Sequence, residues 1–227
     1  MPPKKISSTH TRLLKISDGM SIIARHSIPD TTTQKKWLTR GGEQQAYWAG
    51  QNLPPGFKLE VLAAKAARAQ NTGHIAEKGY ADAGIPKQKT KPTYKSSLEK
   101  ILSSFDFRDP IEKLKIGGEA VITDLTQRVY AGIGKKEKPL ILSITHDGAV
   151  YAILSALRII NEKEDLEAKF GKRKPTKMLK DTDAAIAPTE GILFYFLNEK
   201  NGKRVILSFR RQRYDVTAEI KRILAKK

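Results

Sequence analysis

The sequence predicts an α/β fold, a three-layer α/β/α sandwich around a mostly parallel central sheet. Three observations predict it. Two apolar runs, Met20-Ser21-Ile22-Ile23-Ala24 and Leu140-Ile141-Leu142-Ser143-Ile144-Thr145, have the length of strands buried on both faces, and each precedes a helix-forming pattern. Both runs deliver a histidine at their carboxyl end, His26 after Arg25 and His146 before Asp147-Gly148. Strand and helix patterns then alternate along the chain, as in βαβ units, and ligands of open α/β sheets bind in the crevice at the strands' carboxyl ends.

Taken in order, residues 1 to 19 are polar and basic, with Ser7, Ser8, Thr9 and Thr11 clustered. They read as a basic N-terminal arm, loosely held or forming an edge strand over 13 to 16, ahead of a single domain over 20 to 227. The first strand follows. Ile28-Pro29-Asp30-Thr31-Thr32-Thr33 is loop-like, because proline restricts the residue before it and threonine favours turns. Thr39 is placed to cap a helix over 41 to 52, and Pro54-Pro55-Gly56 ends it. Residues 57 to 62 alternate as a second strand, and the alanine-rich run 63 to 79 is a helix with Arg68 near its start. The segment 80 to 94, with Pro86, Pro92 and several lysines, reads as an exposed loop of the kind that covers a substrate site. Ser97 caps a short helix to Leu102, and 119 to 131 sets Ala120, Val121, Leu125 and Val129 on one side of another. After the strand 140 to 145 come a helix over 149 to 160 and a charged excursion over 163 to 180, with a helix of opposite charges at 164 to 169. Ile192 to Leu197, the turn Glu199-Lys200-Asn201-Gly202 and Val205 to Phe209 form the clearest hairpin. A short basic helix over 216 to 224 closes the chain.

Among the 227 residues, 42 Lys and Arg outnumber 24 Asp and Glu, giving +18. Such an excess attracts polyanions without choosing among phosphates, nucleic acid and acidic membranes. The absence of cysteine removes disulfides, thiol nucleophiles and thiolate metal sites together. No window reaches the ~20 apolar residues of a spanning helix, and Met1-Pro2-Pro3-Lys4-Lys5 leads into no apolar signal core, so a cytoplasmic location is expected. Trp37, Tyr47 and Trp48 lack the interleaved arginines of a base-stacking platform and read as core and rim. His74 reads as a surface residue and His10 as part of the arm.

Singly, these residues say little; their order says more. Arg25-His26-Ser27 is followed by Leu38-Thr39-Arg40-Gly41-Gly42-Glu43-Gln44-Gln45-Ala46, by Arg68-Ala69-Gln70-Asn71-Thr72, and by Thr145-His146-Asp147-Gly148. This order resembles the histidine phosphatase superfamily, the phosphoglycerate-mutase-like and acid-phosphatase-like enzymes. That family carries Arg-His-Gly, Leu-Thr-x-x-Gly-x-x-Gln-Ala, Arg-x-x-Gln-Thr and a second histidine in Ser-His-Gly or His-Asp. The motifs span about 20 to 160, and Ala187-Pro188-Thr189-Glu190-Gly191 looks more loosely like the acid-phosphatase branch. Three departures stand out. Ser27 replaces glycine, the glutamine after Arg68 comes one place early, and no further arginine follows near Pro29, where Arg40 or a lysine of the basic loops is the candidate substitute.

The resemblance implies a phosphoglycerate-mutase-like fold and a metal-independent phosphomonoester hydrolase, with His26 attacking phosphorus to form a phosphohistidine. It implies phosphate binding by Arg25 and Arg68, with His146 as a further donor and Ser27 able to bond to phosphate. The chemistry fits, since phosphoryl transfer is mostly positioning plus fixed positive charge, and paired guanidinium bonds suit phosphate oxygens. Asp147 is the first choice of proton donor, with helix capping as its plain alternative. Glu119, beside Gly117-Gly118, is the rival donor. No metal or cofactor is expected, because four histidines and no cysteine offer no ligand spacing. Expected substrates are phosphorylated small molecules or phosphoproteins. A phosphomutase using the same intermediate, and a phosphate-recognising binding protein with lost turnover, are the alternative functions.

Overall fold

The computed structural model describes residues 3–29, 37–83, 97–104, 106, 108–162, 165–171, 189–200 and 202–226. In chain order the elements are β1 (Lys4–Lys5), α1 (His10–Ile16), β2 (Gly19–Arg25), α2 (Arg40–Gln51), β3 (Phe57–Ala63), α3 (Ala67–Asp82), α4 (Ser97–Ser104), α5 (Ile111–Gly132), β4 (Lys138–Thr145), α6 (Asp147–Ala156), α7 (Asp165–Phe170), β5 (Gly191–Glu199), β6 (Gly202–Phe209), β7 (Gln212–Asp215) and α8 (Thr217–Leu224).

The strands form one sheet in the order β1-β7-β6-β5-β2-β4-β3. Only the ladders of β4 with β2 and with β3 are parallel, and the other four are antiparallel. The expectation of a mostly parallel sheet is thus corrected to a mixed sheet with a parallel portion at β2, β4 and β3. The connections explain this. Parallel neighbours need a long crossover, which helices supply between β2, β3 and β4, whereas β5, β6 and β7 are joined by tight turns that can only reverse direction.

Strand alternation assigns the helices to layers. Ala24, Ile144 and Ala63 share one face through their registers, and α3 lies on it, with Gly73 close to Val61, Ile144 and Ala63. On the opposite face Glu60 of β3 pairs with Arg128 of α5 at 3.1 Å. Arg222 of α8 ties α5 to α6, donating to Glu119 at 3.1 Å and to the Ala156 carbonyl at 2.8 Å. Helix α2 packs on α3 through two glycines, since a Cβ at Gly50 would stand 1.9 Å from the Ala76 carbonyl oxygen and one at Gly79 2.2 Å from that of Tyr47. The result is the expected three-layer sandwich.

Several elements differ from the sequence reading. Residues 13 to 16 belong to helix α1 rather than to an edge strand: Thr9 accepts the Arg12 N–H as its cap, and Leu13 is buried against the sheet side of the core. The edge is β1, paired to β7. Helix α3 starts at Ala67, because Ala63 still pairs with Ile144 and the Ala64 N–H reaches the Ile144 carbonyl at 2.9 Å. Helix α5 begins two turns earlier than expected, and α6 ends at Ala156. Trp37 and Trp48 are exposed rather than core. Most of the loop expected over 80 to 94, and most of the excursion over 163 to 180, lie outside the described residues.

Candidate active site

Strands β2 and β4 are parallel neighbours whose following helices diverge, α2 toward the α3 layer and α6 toward the α5 layer. Divergence of this kind opens a crevice beyond the strands' carboxyl ends. His26 follows β2 directly and His146 follows β4. The His26 N–H donates to the Thr145 carbonyl at 2.8 Å, which extends the parallel ladder and sets the two rings 5.3 Å apart between centroids, at 78°.

The bonds around His26 fix its tautomer. Nδ1 lies 2.7 Å from the Ser27 carbonyl oxygen, so it must carry the proton. On the other side Arg68 Nε, which can only donate, lies 2.9 Å from Nε2. Nε2 therefore holds a lone pair and the ring is neutral. Burial lowers the His26 pKa to about 3, aided by the nearby charges of Arg68, His146 and Arg25 and opposed by the Ser27 bond. His146 is also held below its ordinary value, by burial first and then by Arg68 and Arg25, with Asp147 opposing.

Each partner is positioned by backbone. Arg68 is the second residue of α3, and Thr72 one turn later donates to the Arg68 carbonyl at 2.7 Å while accepting the Ser27 N–H at 3.0 Å. Arg25 ends β2, its N–H bonded to the Glu190 carbonyl at 3.0 Å and its carbonyl accepting from Thr189 at 3.1 Å. Helix α4 seals the far side, where the Thr145 hydroxyl donates to the Leu102 carbonyl at 3.0 Å and the Lys65 N–H to Ser103 Oγ at 2.9 Å.

Together Arg25, His26, Arg68, His146 and Asp147 line a cavity of about 510 Å³, with Ser103, Ser104 and Asp106 completing its wall. Five of the residues singled out in the sequence thus meet at one place. Asp147 is the first residue of α6 rather than its cap, which is His146, and its Oδ1 accepts the Gly148 N–H at 3.0 Å.

Three expectations are corrected. Ser27 is fully buried, with its Oγ 2.7 Å from the Gly42 carbonyl and 2.9 Å from the Gln45 side-chain amide, so it fastens the start of α2 instead of facing an anion. Glu119 stands outside the cavity lining, paired with Arg222 at 3.1 Å and with Lys226 at 2.8 Å. Those cations hold its carboxyl below the usual range against the opposing effect of burial, which suits an anchor rather than an acid. Arg40 is exposed at the start of α2 and does not line the cavity, so it is no substitute for a further arginine. His74 is exposed, and His10 bonds through Nδ1 to the Tyr195 hydroxyl on α1's side of the sheet. Ser103, Ser104 and Asp106 were not legible in advance, because only the docking of α4 over Thr145 brings them to the histidines. Among the described residues no group of His, Cys, Asp and Glu is arranged to hold a metal ion, and no helix is long and apolar enough to cross a membrane.

No family model matches the chain, and no curated protein matches it. Among solved structures it is similar to mycobacterial hydrolase 1, at 11% identity and a TM-score of 0.48, over 84% of this chain and 97% of that one. It is also similar to phosphoserine phosphatase from Entamoeba histolytica in complex with 3-phosphoglyceric acid, at 17% identity and a TM-score of 0.46, over 89% and 99% of the two chains. A third is the ecdysone phosphate phosphatase from Bombix mori in complex with tungstate, at 12% identity and a TM-score of 0.45, over 78% and 88%.

Proposed function

We propose that this chain is a metal-independent phosphomonoester hydrolase of the histidine phosphatase superfamily, working through a phosphohistidine on Nε2 of His26. One observation carries the reading: a buried, neutral imidazole presents its lone pair to a guanidinium at 2.9 Å inside a cavity that a second arginine also lines. A phosphate dianion entering the cavity takes over the Arg68 N–H that His26 holds, which frees Nε2 at the moment the electrophile arrives. Arg25 and Arg68 grip the equatorial oxygens, and His146 stands beside them. The starts of α3 and α6 add partial positive charge.

Attack by Nε2 forms the N–P bond as the ester P–O bond breaks, and Asp147 gives its proton to the departing oxygen. The Nδ1–H bond to Ser27 delocalises the positive charge that the ring acquires. Water then attacks phosphorus, Asp147 recovers a proton from it, and His26 leaves as neutral imidazole with inorganic phosphate as product. The test is hydrolysis of p-nitrophenyl phosphate in excess chelator. Turnover that survives chelation is expected, and absence of turnover between pH 4 and 8 would contradict the proposal.

A further inference from the structure

Arg25 and His26 adjoin in the chain but are held from opposite sides. The His26 N–H bonds to β4 through the Thr145 carbonyl, whereas Arg25 bonds to the chain entering β5. The β2–β5 ladder is regular from Gly19 opposite Phe196 to Ala24 opposite Gly191, and it changes at the next step. There the Arg25 N–H donates to the Glu190 carbonyl at 3.0 Å, but the Arg25 carbonyl takes the N–H of Thr189 at 3.1 Å, so two residues stand against one. This is a β-bulge, with Thr189 at φ 58° in the place where glycine is usual. A β-branched residue in the left-handed region is strained, and such strain persists only where the surroundings impose it.

Those surroundings include an ion pair. Glu190 accepts Arg210 Nε on one carboxylate oxygen at 2.6 Å and Nη2 on the other at 3.3 Å. Arg210 is itself left-handed, at φ 45°. Its Nη1 donates to the Gly171 carbonyl after α7 at 2.9 Å, and its guanidinium carbon lies 5.2 Å from the centroid of the Phe209 ring. The two side chains are only 12% and 20% exposed, so water screens this pair far less than a surface contact. The bulge opposite Arg25 is thereby braced against the β6–β7 turn and the end of α7.

We propose that Thr189, Glu190 and Arg210 are positioning residues for Arg25: the bulge, braced by the Glu190–Arg210 pair, aims the Arg25 guanidinium at the phosphate. The inference rests on the hydrolase reading for what Arg25 grips. A guanidinium bonds two oxygens at once only when its planar fork faces them, so the backbone direction at Arg25 decides the quality of the grip. Bulges beside active sites re-aim a side chain in this way. Among the described residues that line the cavity none is Thr189, Glu190 or Arg210, so their effect on an anion there passes through Arg25.

The test is a double-mutant cycle read as affinity for inorganic phosphate, by calorimetry on the full chain. Arg210→Ala is expected to weaken binding about tenfold, the scale on which a misaimed contact is felt. In an Arg25→Lys background the fork that needs aiming is gone, so the same change is expected to cost about twofold or less. A loss through charge alone, or through a general loosening of the fold, would appear in both backgrounds, and equal losses would overturn the inference. An unchanged affinity in Arg210→Ala would overturn it as well. Should Arg210→Ala fail to fold by circular dichroism, Glu190→Gln decides by the same comparison, since it keeps the backbone of the bulge and removes the charge that Arg210 holds. Hydrolysis of p-nitrophenyl phosphate by the unmodified chain is measured separately. The expected cycle without turnover would overturn the hydrolase and leave the positioning standing. Turnover with equal losses in the two backgrounds would do the reverse.

Discussion

Protonation would silence His26 in its proposed role of nucleophile, and its surroundings oppose it: the residue is 5% exposed, donates its Nδ1–H to the Ser27 carbonyl and accepts one bond from Arg68. The folded ring resists protonation to about pH 3, while an unfolded histidine takes a proton near 6.5. Between these values the unfolded chain binds more protons, so this group makes stability fall as pH drops below 6.5, by at most about 1.4 kcal/mol per pH unit, and costs nothing above it. Nitrogen-resolved NMR should show His26 as the neutral Nδ1–H tautomer from pH 8 down to 5. A midpoint near 6.5 would refute the burial account. Asp147 is separated from His26 by leaving group. Asp147→Asn should keep much of its phosphorylation rate with p-nitrophenyl phosphate, which leaves as a stable anion. With an alkyl phosphate it should lose roughly 10²-fold or more. Equal losses on both substrates would make Asp147 structural. His26 and His146 were visible in the sequence because each follows an apolar strand run, whereas Arg25 and Arg68 drew attention through the order of motifs that resembles the histidine phosphatase superfamily. The role of Ser27 was not visible, since its bonds to Gly42 and Gln45 depend on how α2 returns to β2.

The elements that hold the site meet at very close range where α2 crosses α3. Helix α2 carries Gln45, which secures Ser27, and α3 carries Arg68, so their separation would reach the histidine. Alanine in place of helical glycine ordinarily favours a helix by about 1 kcal/mol. At Gly79 the added carbon would meet the Tyr47 carbonyl at 2.2 Å, a backbone atom that cannot turn aside. Gly79→Ala should therefore destabilise by about 1–3 kcal/mol in thermal or denaturant unfolding, and phosphate binding should weaken with it. A variant as stable as the parent would show that the helices can part without cost. Strands β2 to β6 were legible because their apolar runs are long and their turns or helices carry ordinary signals. Strand β7 was not, since the two-residue turn before it places Arg210 and Arg211 at φ of 45° and 64°, positions where glycine or asparagine is the readable sign. The parallel portion was legible from the strand-to-histidine junctions, but how far it extended depended on β5, which inserts antiparallel against β2.

At the scale of the whole molecule the chain carries a charge of +18, and the proposed reaction brings an anion to it. Long-range attraction of this kind speeds encounter and is screened within about 8–10 Å at physiological salt. The kcat/KM for a phosphomonoester should accordingly fall several-fold between low and high ionic strength, with kcat little changed, and a salt-independent kcat/KM would mean that the basic surface does not steer substrate. The same global view explains why the fold must be complete before any chemistry is possible: Arg68 lies 42 residues from the histidine it bonds, and the Thr145 carbonyl that aligns His26 comes from another strand. The most direct test of the central claim is rapid acid- and base-quenched labelling with a radioactive phosphomonoester, followed by peptide mapping. A base-stable, acid-labile phosphate on the peptide containing His26, absent in His26→Ala, is the expected result. Turnover without that label, or label on His146 instead, would contradict it.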